Sequence, residues 1–303
     1  MIQEILSKLS LHGLKSAFAP ISRVEDLKRD LEELKNGDFH TGFIDWITSN
    51  ADKLLPNDLG FEPRSLIVAA AFSTKASLRF TYNGKSIDCL LPPTYAEFGM
   101  AESKESDFVV ELLKQYGFNA KENRYIPQKM LAVHCGLGKY GRNNIFYSDA
   151  FGSYAKIYTF YTDVSCDEDA PWRPIERMEI CESCNACVDA CPTKAIDENR
   201  RIINADVCIT AFNERDGEFP EWLDKSAHNC LIGCVKCQDC CPRNAGNLNS
   251  IVQGAEFSES ETLALLGHKK GDPIPAGLSE KLEATGIWKH FIPHMPRNLS
   301  ALI

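Results

Sequence analysis

Cys181-x-x-Cys184-x-x-Cys187-x-x-x-Cys191-Pro192 is the segment that most restricts what this chain can become. The spacing is one by which 4Fe–4S clusters are held: three thiolates two residues apart wrap one cubane, and the fourth, before a proline, points to another cluster. A second group, Cys234-x-x-Cys237-x-x-x-Cys241-Pro242, follows, with Cys208 and Cys230 upstream. The pair predicts two 4Fe–4S clusters and one-electron chemistry. A disulfide framework suits a small secreted domain, whereas this chain has 303 residues. Zinc needs only two Cys-x-x-Cys pairs closing one tetrahedral site, and the cysteine run exceeds that need.

Lys and Arg number 33 and Asp and Glu 42, a net charge of −9 that argues against a broad nucleic-acid surface. No apolar run approaches the roughly 18 residues of a membrane span. Met1 to Leu6 lacks the basic region, apolar stretch and small-residue cleavage site of an export signal. The chain is expected in the cytoplasm, where thiols stay reduced. Cys89, Cys135 and Cys166 have no cysteine neighbours in sequence and read as small buried or surface thiols.

Residues 1–60 read as helical, with Ser22-x-x-Glu25 as a capping box ahead of Leu27, Leu31 and Leu34. The apolar run Ser65–Phe72 predicts a buried strand, and residues 73–100, with Pro92-Pro93, an irregular loop. A helix is expected over 106–116, stopped by Gly117, and a strand over 156–164. Arg201-Ile202-Ile203 reads as a strand, and Ser258-x-x-Glu261 caps a helix carrying Leu263, Leu265 and Leu266. The acidic stretch 166–170, then Pro171 and Pro174, marks a boundary. The expected domains are 1–170, an α/β cofactor-binding domain; 171–250, a double-cluster domain; and 251–303, a helical segment packing back on the core. The fold class is α/β, of the α+β kind.

Cross-ligation predicts one cluster on Cys181, Cys184, Cys187 and Cys241. The other takes Cys191, Cys234 and Cys237 plus one more thiol. Cys240 is disfavoured because it adjoins Cys241, which leaves Cys208 and Cys230. Gly136-Leu137-Gly138-Lys139-Tyr140-Gly141 fits G-x-G-x-x-G, and Asp163 lies at a suitable distance. That fingerprint needs a strand before and a helix after. Here Arg142 to Tyr147 leads through Ser148-Asp149 and Gly152-Ser153 into another strand. The glycines are better read as letting backbone lie close to some other large flat cofactor.

Several segments together resemble the epoxyqueuosine reductases and, more distantly, the corrinoid reductive dehalogenases. They are Asn50-Ala51-Asp52-Lys53 with Pro63-Arg64-Ser65-Leu66-Ile67-Val68; Gly136 through Asn143; Gly152-Ser153; Cys181 through Ile196; Asp206-Val207-Cys208-Ile209; Gly233 through Asn244; and Arg297-Asn298-Leu299. The resemblance implies a nitroreductase-like core that binds cobalamin, fused to a bacterial-type ferredoxin module. It implies Cys208 as the last ligand of the second cluster. It also implies a cofactor site at Gly136, Gly138, Gly141, Arg142, Asn143, Gly152 and Ser153. Cobalt would carry the hard chemistry, and the protein would supply orientation, electrons and a proton. Counting back from the glycine loop puts Glu122 where the family has an acidic proton donor, with Tyr125 as a second candidate. A reduced ferredoxin or flavodoxin is the implied electron donor.

The leading expectation is a reductase acting on a small molecule. Its rival is an electron-transfer protein that reduces a corrinoid or a partner protein, and flavin is the alternative cofactor. The sequence stops where longer family members continue into a helical-repeat domain that helps hold tRNA, which, with the charge, disfavours tRNA.

Overall fold

A computed structural model of the chain describes residues 1–95, 104–123, 125–268, 272, 274–287 and 289–303. In chain order the elements begin with α1 (Ile2–Leu11), β1 (Lys15–Pro20), α2 (Arg23–Lys35), α3 (Gly42–Thr48), β2 (Ser65–Phe72), β3 (Lys75–Tyr82) and β4 (Lys85–Leu91). Then come α4 (Lys104–Gln115), β5 (Ala120–Glu122), α5 (Gln128–His134), β6 (Gly138–Tyr140), β7 (Phe146–Ser148) and β8 (Ala155–Thr162). The last are α6 (Ala186–Ala190), α7 (Ile209–Asn213), α8 (Lys236–Asp239), β9 (Ile251–Phe257), α9 (Glu259–Leu266), α10 (Ala276–Ala284) and α11 (Met295–Leu302). The chain divides into two compact units, Met1–Phe72 with Glu102–Cys184 and Ser73–Ala101 with Asn185–Ile303. The boundaries expected at 170 and 250 do not coincide with this division.

The first unit is built on an antiparallel sheet of order β1-β2-β8-β5. Leu66, Val68 and Ala70 of β2 pack with Val24, Leu27 and Leu31 of α2 and Leu131 of α5. Ile67 and Ala71, on the other face, meet Ile5 and Leu9 of α1 and Val109, Leu112 and Leu113 of α4. Helices thus cover both faces, which is why β2 reads as an unbroken apolar run rather than an alternation.

β1 corrects the all-helical reading of residues 1–60. Gly13, at φ +88°, turns the chain out of α1, and pairing of Lys15–Pro20 with β2 then overrides local propensity. The capping box at Ser22 does not form either. Ser22 has helical backbone angles, and its hydroxyl donates to Glu168 Oε2 at 2.6 Å. Gly117 ends α4 as expected, at φ +81°, with Phe118 N–H bonded to the Leu113 carbonyl.

In the second unit, residues 75–91 form the β3–β4 hairpin rather than an irregular loop. Asn83 and Gly84 sit at φ +52° and +73°, the two left-handed positions of a type I′ turn. β9 adds to β3 in parallel, with Phe80 opposite Phe257 and their rings stacked at 4.6 Å. The segment 251–303 therefore opens with a strand before its helices. The capping box at Ser258 and Glu261 forms and starts α9. Leu265, Leu278, Leu282, Met295 and Leu299 from α9, α10 and α11 fill the core over Leu78, Phe80 and Phe257. Arg201–Ile203 is not a strand; Ile203 instead packs beside Cys191. No helix among the described residues is long and apolar enough to cross a membrane.

Candidate functional site

Four of the expected ligands gather within the second unit at the ends of its shortest helices. Cys191 ends α6, Cys208 precedes α7, and Cys234 and Cys237 flank the start of α8. Cys191, Cys208 and Cys237, together with Cys187, share an apolar cluster with Ala195, Ile196 and Val207. Cys234 lies near enough to Cys191 and Cys208 for their charges to act on it. Burial pushes the Cys208 thiol up, and the Cys234 thiol up to about 11. Opposing that rise, the Thr210 hydroxyl and the backbone of Thr210 and Ala211 act on Cys208, and the Asn229 amide, 3.2 Å away, and the Lys236 backbone act on Cys234. Those donors favour the thiolate, the form that a cluster requires.

Cys230 differs. It is fully buried, burial holds its thiol well above the usual range, and its sulfur faces Asn229 Oδ1 at 3.4 Å. Lys75, buried in β3, reaches Asp239 at 3.0 Å and ties the sheet to α8. Among the described residues no three His, Cys, Asp or Glu side chains are set to hold one metal ion. A cubane does not demand that, because each thiolate binds its own iron.

Cys181 and Cys184 are the last thiols of the first unit, whereas Cys187 and Cys241 belong to the second. Their assignment to one cluster rests on sequence spacing. Cys181 follows a stretch anchored to the glycine loop. Tyr140 N–H bonds to the Glu176 carbonyl at 3.0 Å and Met178 N–H to the Tyr140 carbonyl at 2.8 Å. The Arg142 guanidinium donates to the Cys181 carbonyl.

The glycine loop itself forms the two-stranded β6–β7 hairpin, strand–turn–strand as expected. Its open positions are filled from within the chain. A Cβ on Gly138 would stand 2.2 Å from the Tyr147 carbonyl oxygen, one on Gly141 2.5 Å from Asn143 Oδ1, and one on Gly136 2.9 Å from Arg173 Nε. Arg142, Asn143 and Ser153 are buried. Asn143 donates to the Tyr147 hydroxyl at 3.0 Å, and Gly152 exchanges backbone bonds with Ser148. The expected cradle of Gly136, Gly138, Gly141, Arg142, Asn143, Gly152 and Ser153 is thus a set of packing positions. As packing positions they offer a corrinoid no visible cradle.

Glu122 ends β5 opposite Phe160, half-buried, and its carboxylate accepts from the Ser106 hydroxyl at 2.7 Å. Tyr125 is 54% exposed, with Lys53 over its ring at 5.0 Å, which suits a surface residue better than a sheltered proton donor. Two pairings lay beyond the reach of sequence patterns. His134 is buried between Asp30, at 2.7 Å, and the stacked Trp172 ring. Tyr95 donates to Glu214, a carboxyl that burial pushes up to about 7. Partners 119 positions apart leave no periodicity to read.

The 4Fe-4S double cluster binding domain family matches residues 180–244. The epoxyqueuosine reductase of Bacillus subtilis is 33% identical over 121 residues, 40% of this chain and 30% of that protein. Over part of its length this chain is similar to the epoxyqueuosine reductases. That of Atelocyanobacterium thalassa is 32% identical over 122 residues, 39% of this chain and 38% of the relative. For the Bacillus cereus enzyme the match is 25% over 261 residues, 80% and 64%. The chain thus spans only about a third of the length of the first of these relatives.

The solved epoxyqueuosine reductase of Bacillus subtilis superposes with a TM-score of 0.65 at 20% identity, over 99% of this chain and 80% of that one. At that identity the likeness establishes the mixed α/β fold. An epoxyqueuosine reductase structure with a similar score, 0.65 at 19% identity over 99% of this chain and 80% of that one, holds a tRNA stem loop. That neighbour removes the ground for setting tRNA aside on charge and chain length.

Proposed function

We propose that this chain is a two-cluster iron–sulfur reductase of the epoxyqueuosine reductase type. The observation that carries the reading is the gathering of Cys191, Cys208, Cys234 and Cys237 in one half-buried nest, within the stretch matched by the double-cluster family. When bound, 4Fe–4S clusters supply electrons one at a time. The residues around the nest prepare for that charge. N–H groups at the starts of α7 and α8 favour anionic sulfur. Ala195 and Ile196, both buried, limit water beside the thiols. By likeness, the proposed reaction is reductive removal of a carbon-bound oxygen, which takes two electrons and two protons per epoxide and releases water. The proposed electron donor is a reduced ferredoxin or flavodoxin. Cys181, Cys184, Cys187 and Cys241 complete the proposal for the first cluster.

The test is iron and acid-labile sulfide after anaerobic purification. About eight of each per chain are expected, falling to about four in Cys208→Ala and unchanged in Cys230→Ala. The reverse pattern overturns the ligand choice.

A second reading, an electron carrier without substrate chemistry of its own, is favoured by the filled glycine hairpin and the exposed Tyr125. Cobalt content and the visible spectrum after incubation with cobalamin separate the two. Stoichiometric uptake supports a reductase that seats a corrinoid on residues other than the hairpin, and no uptake supports the carrier.

A further inference from the structure

The Asn229 side chain sits among four partners, all in the second unit. Its Nδ2 is 2.9 Å from the Ala227 carbonyl oxygen and 3.2 Å from Cys234 Sγ. Its Oδ1 is 3.0 Å from the Val235 backbone nitrogen and 3.4 Å from Cys230 Sγ. The two backbone groups decide which end of the amide is which, because a peptide N–H only donates and a carbonyl only accepts. Flipping the amide would set N–H against N–H and oxygen against oxygen. The orientation is therefore fixed without reference to sulfur. One amide N–H is left for Cys234, and Cys230 can meet Oδ1 only as an S–H donor. Every hydrogen-bonding position of the amide is then filled.

We infer that Asn229, held in place by the Cys230 thiol, is a positioning residue that donates a hydrogen bond to the Cys234 thiolate and raises the reduction potential of the second cluster. The inference rests on the proposed assignment of Cys234 as a ligand. Reduction adds negative charge that spreads onto the ligand sulfurs. A donor aimed at one of them stabilises the reduced state more than the oxidised state. It also gives Cys230 a task that a ligand could not perform, since a metal-bound sulfur carries no proton.

The experiment is a redox titration followed by electron paramagnetic resonance, on the full chain purified anaerobically. In Asn229→Ala, iron is expected to stay at about eight per chain. The one-electron reduction constant of one cluster is expected to fall about tenfold, about 59 mV, with the other cluster unmoved. Asn229→Asp, which keeps the acceptor and replaces the donor with a carboxylate, is expected to lower the same potential further. It also serves as the test should the alanine variant fail to assemble. Cys230→Ala is expected to keep both clusters and to shift the same potential by less. Unchanged potentials in Asn229→Ala or Asn229→Asp at full iron content overturn the inference alone. A loss of half the iron in Cys230→Ala makes Cys230 a ligand and overturns the cluster assignment beneath it.

Discussion

The thiol nest of the second unit and the glycine hairpin of the first were equally conspicuous in sequence, and they turn out to be opposite kinds of site. In the nest, sulfurs converge with backbone and amide donors aimed at them, an arrangement that makes chemical sense only around something negatively charged. In the hairpin, Gly138 and Gly141 are required by atoms of the chain itself, and their polar neighbours Arg142 and Asn143 have internal partners. A motif rich in glycine records that space is tight without saying what fills it. A cysteine run does say, because a buried thiol able to ionise has few uses besides metal ligation or redox chemistry.

The strongest way to break this comparison is Gly138→Ala. The new methyl would fall 2.2 Å from a carbonyl oxygen of the paired strand, so backbone must move. A loss of about 3 kcal/mol or more in thermal or denaturant unfolding is expected. A change below about 0.5 kcal/mol would mean that the hairpin has room, and would return it to the list of cofactor sites.

Glu214→Gln is expected to have a smaller effect. The folded pKa of about 7 lies above the unfolded value of 4.5, so between these values the folded state binds more protons than the unfolded one. The carboxyl's contribution is full below about pH 4.5, is lost as pH rises through 7, and leaves a destabilising buried charge above it. The glutamine variant should therefore be more stable than the parent at pH 8, by on the order of 1–3 kcal/mol, with a flatter profile between pH 4.5 and 7. A parallel profile would show that the second unit relaxes around the charge.

The smallest change is expected from Glu122→Gln. Its carboxylate accepts from the Ser106 hydroxyl, a bond the amide oxygen can still accept, so stability should move by about 1 kcal/mol or less and cluster content not at all. A larger loss would mark Glu122 as part of a site rather than the end of a strand.

Much of this was legible in sequence where local chemistry decides the outcome. The run Ser65–Phe72 could only be an interior strand, and Ser258 with Glu261 could cap α9 because neighbours in sequence supply both bonds. Ser22 and Glu25 carried the same signature and failed, because Glu168, far along the chain, holds the serine hydroxyl. The Asn83-Gly84 turn was readable, but the charged residues and prolines around it disguised the hairpin. Asn229 could not be found from sequence at all. Nothing distinguishes it until Ala227, Val235, Cys230 and Cys234 are folded around it.

The parallel pairing of β3 with β9 has a consequence for assembly. Thr74 bonds the Ser250 carbonyl across a sequence separation of 176 residues, and the pairing begins immediately after, at Lys75 and Ile251. The thiols of the second unit are therefore strung along a closed loop whose two ends meet in one sheet. Zipping such distant ends is slow, because loop-closure entropy is lost before contacts are gained. A cluster inserted early would act as a clasp that shortens this loop, so assembly of the sheet and loading of iron should rise and fall together during refolding.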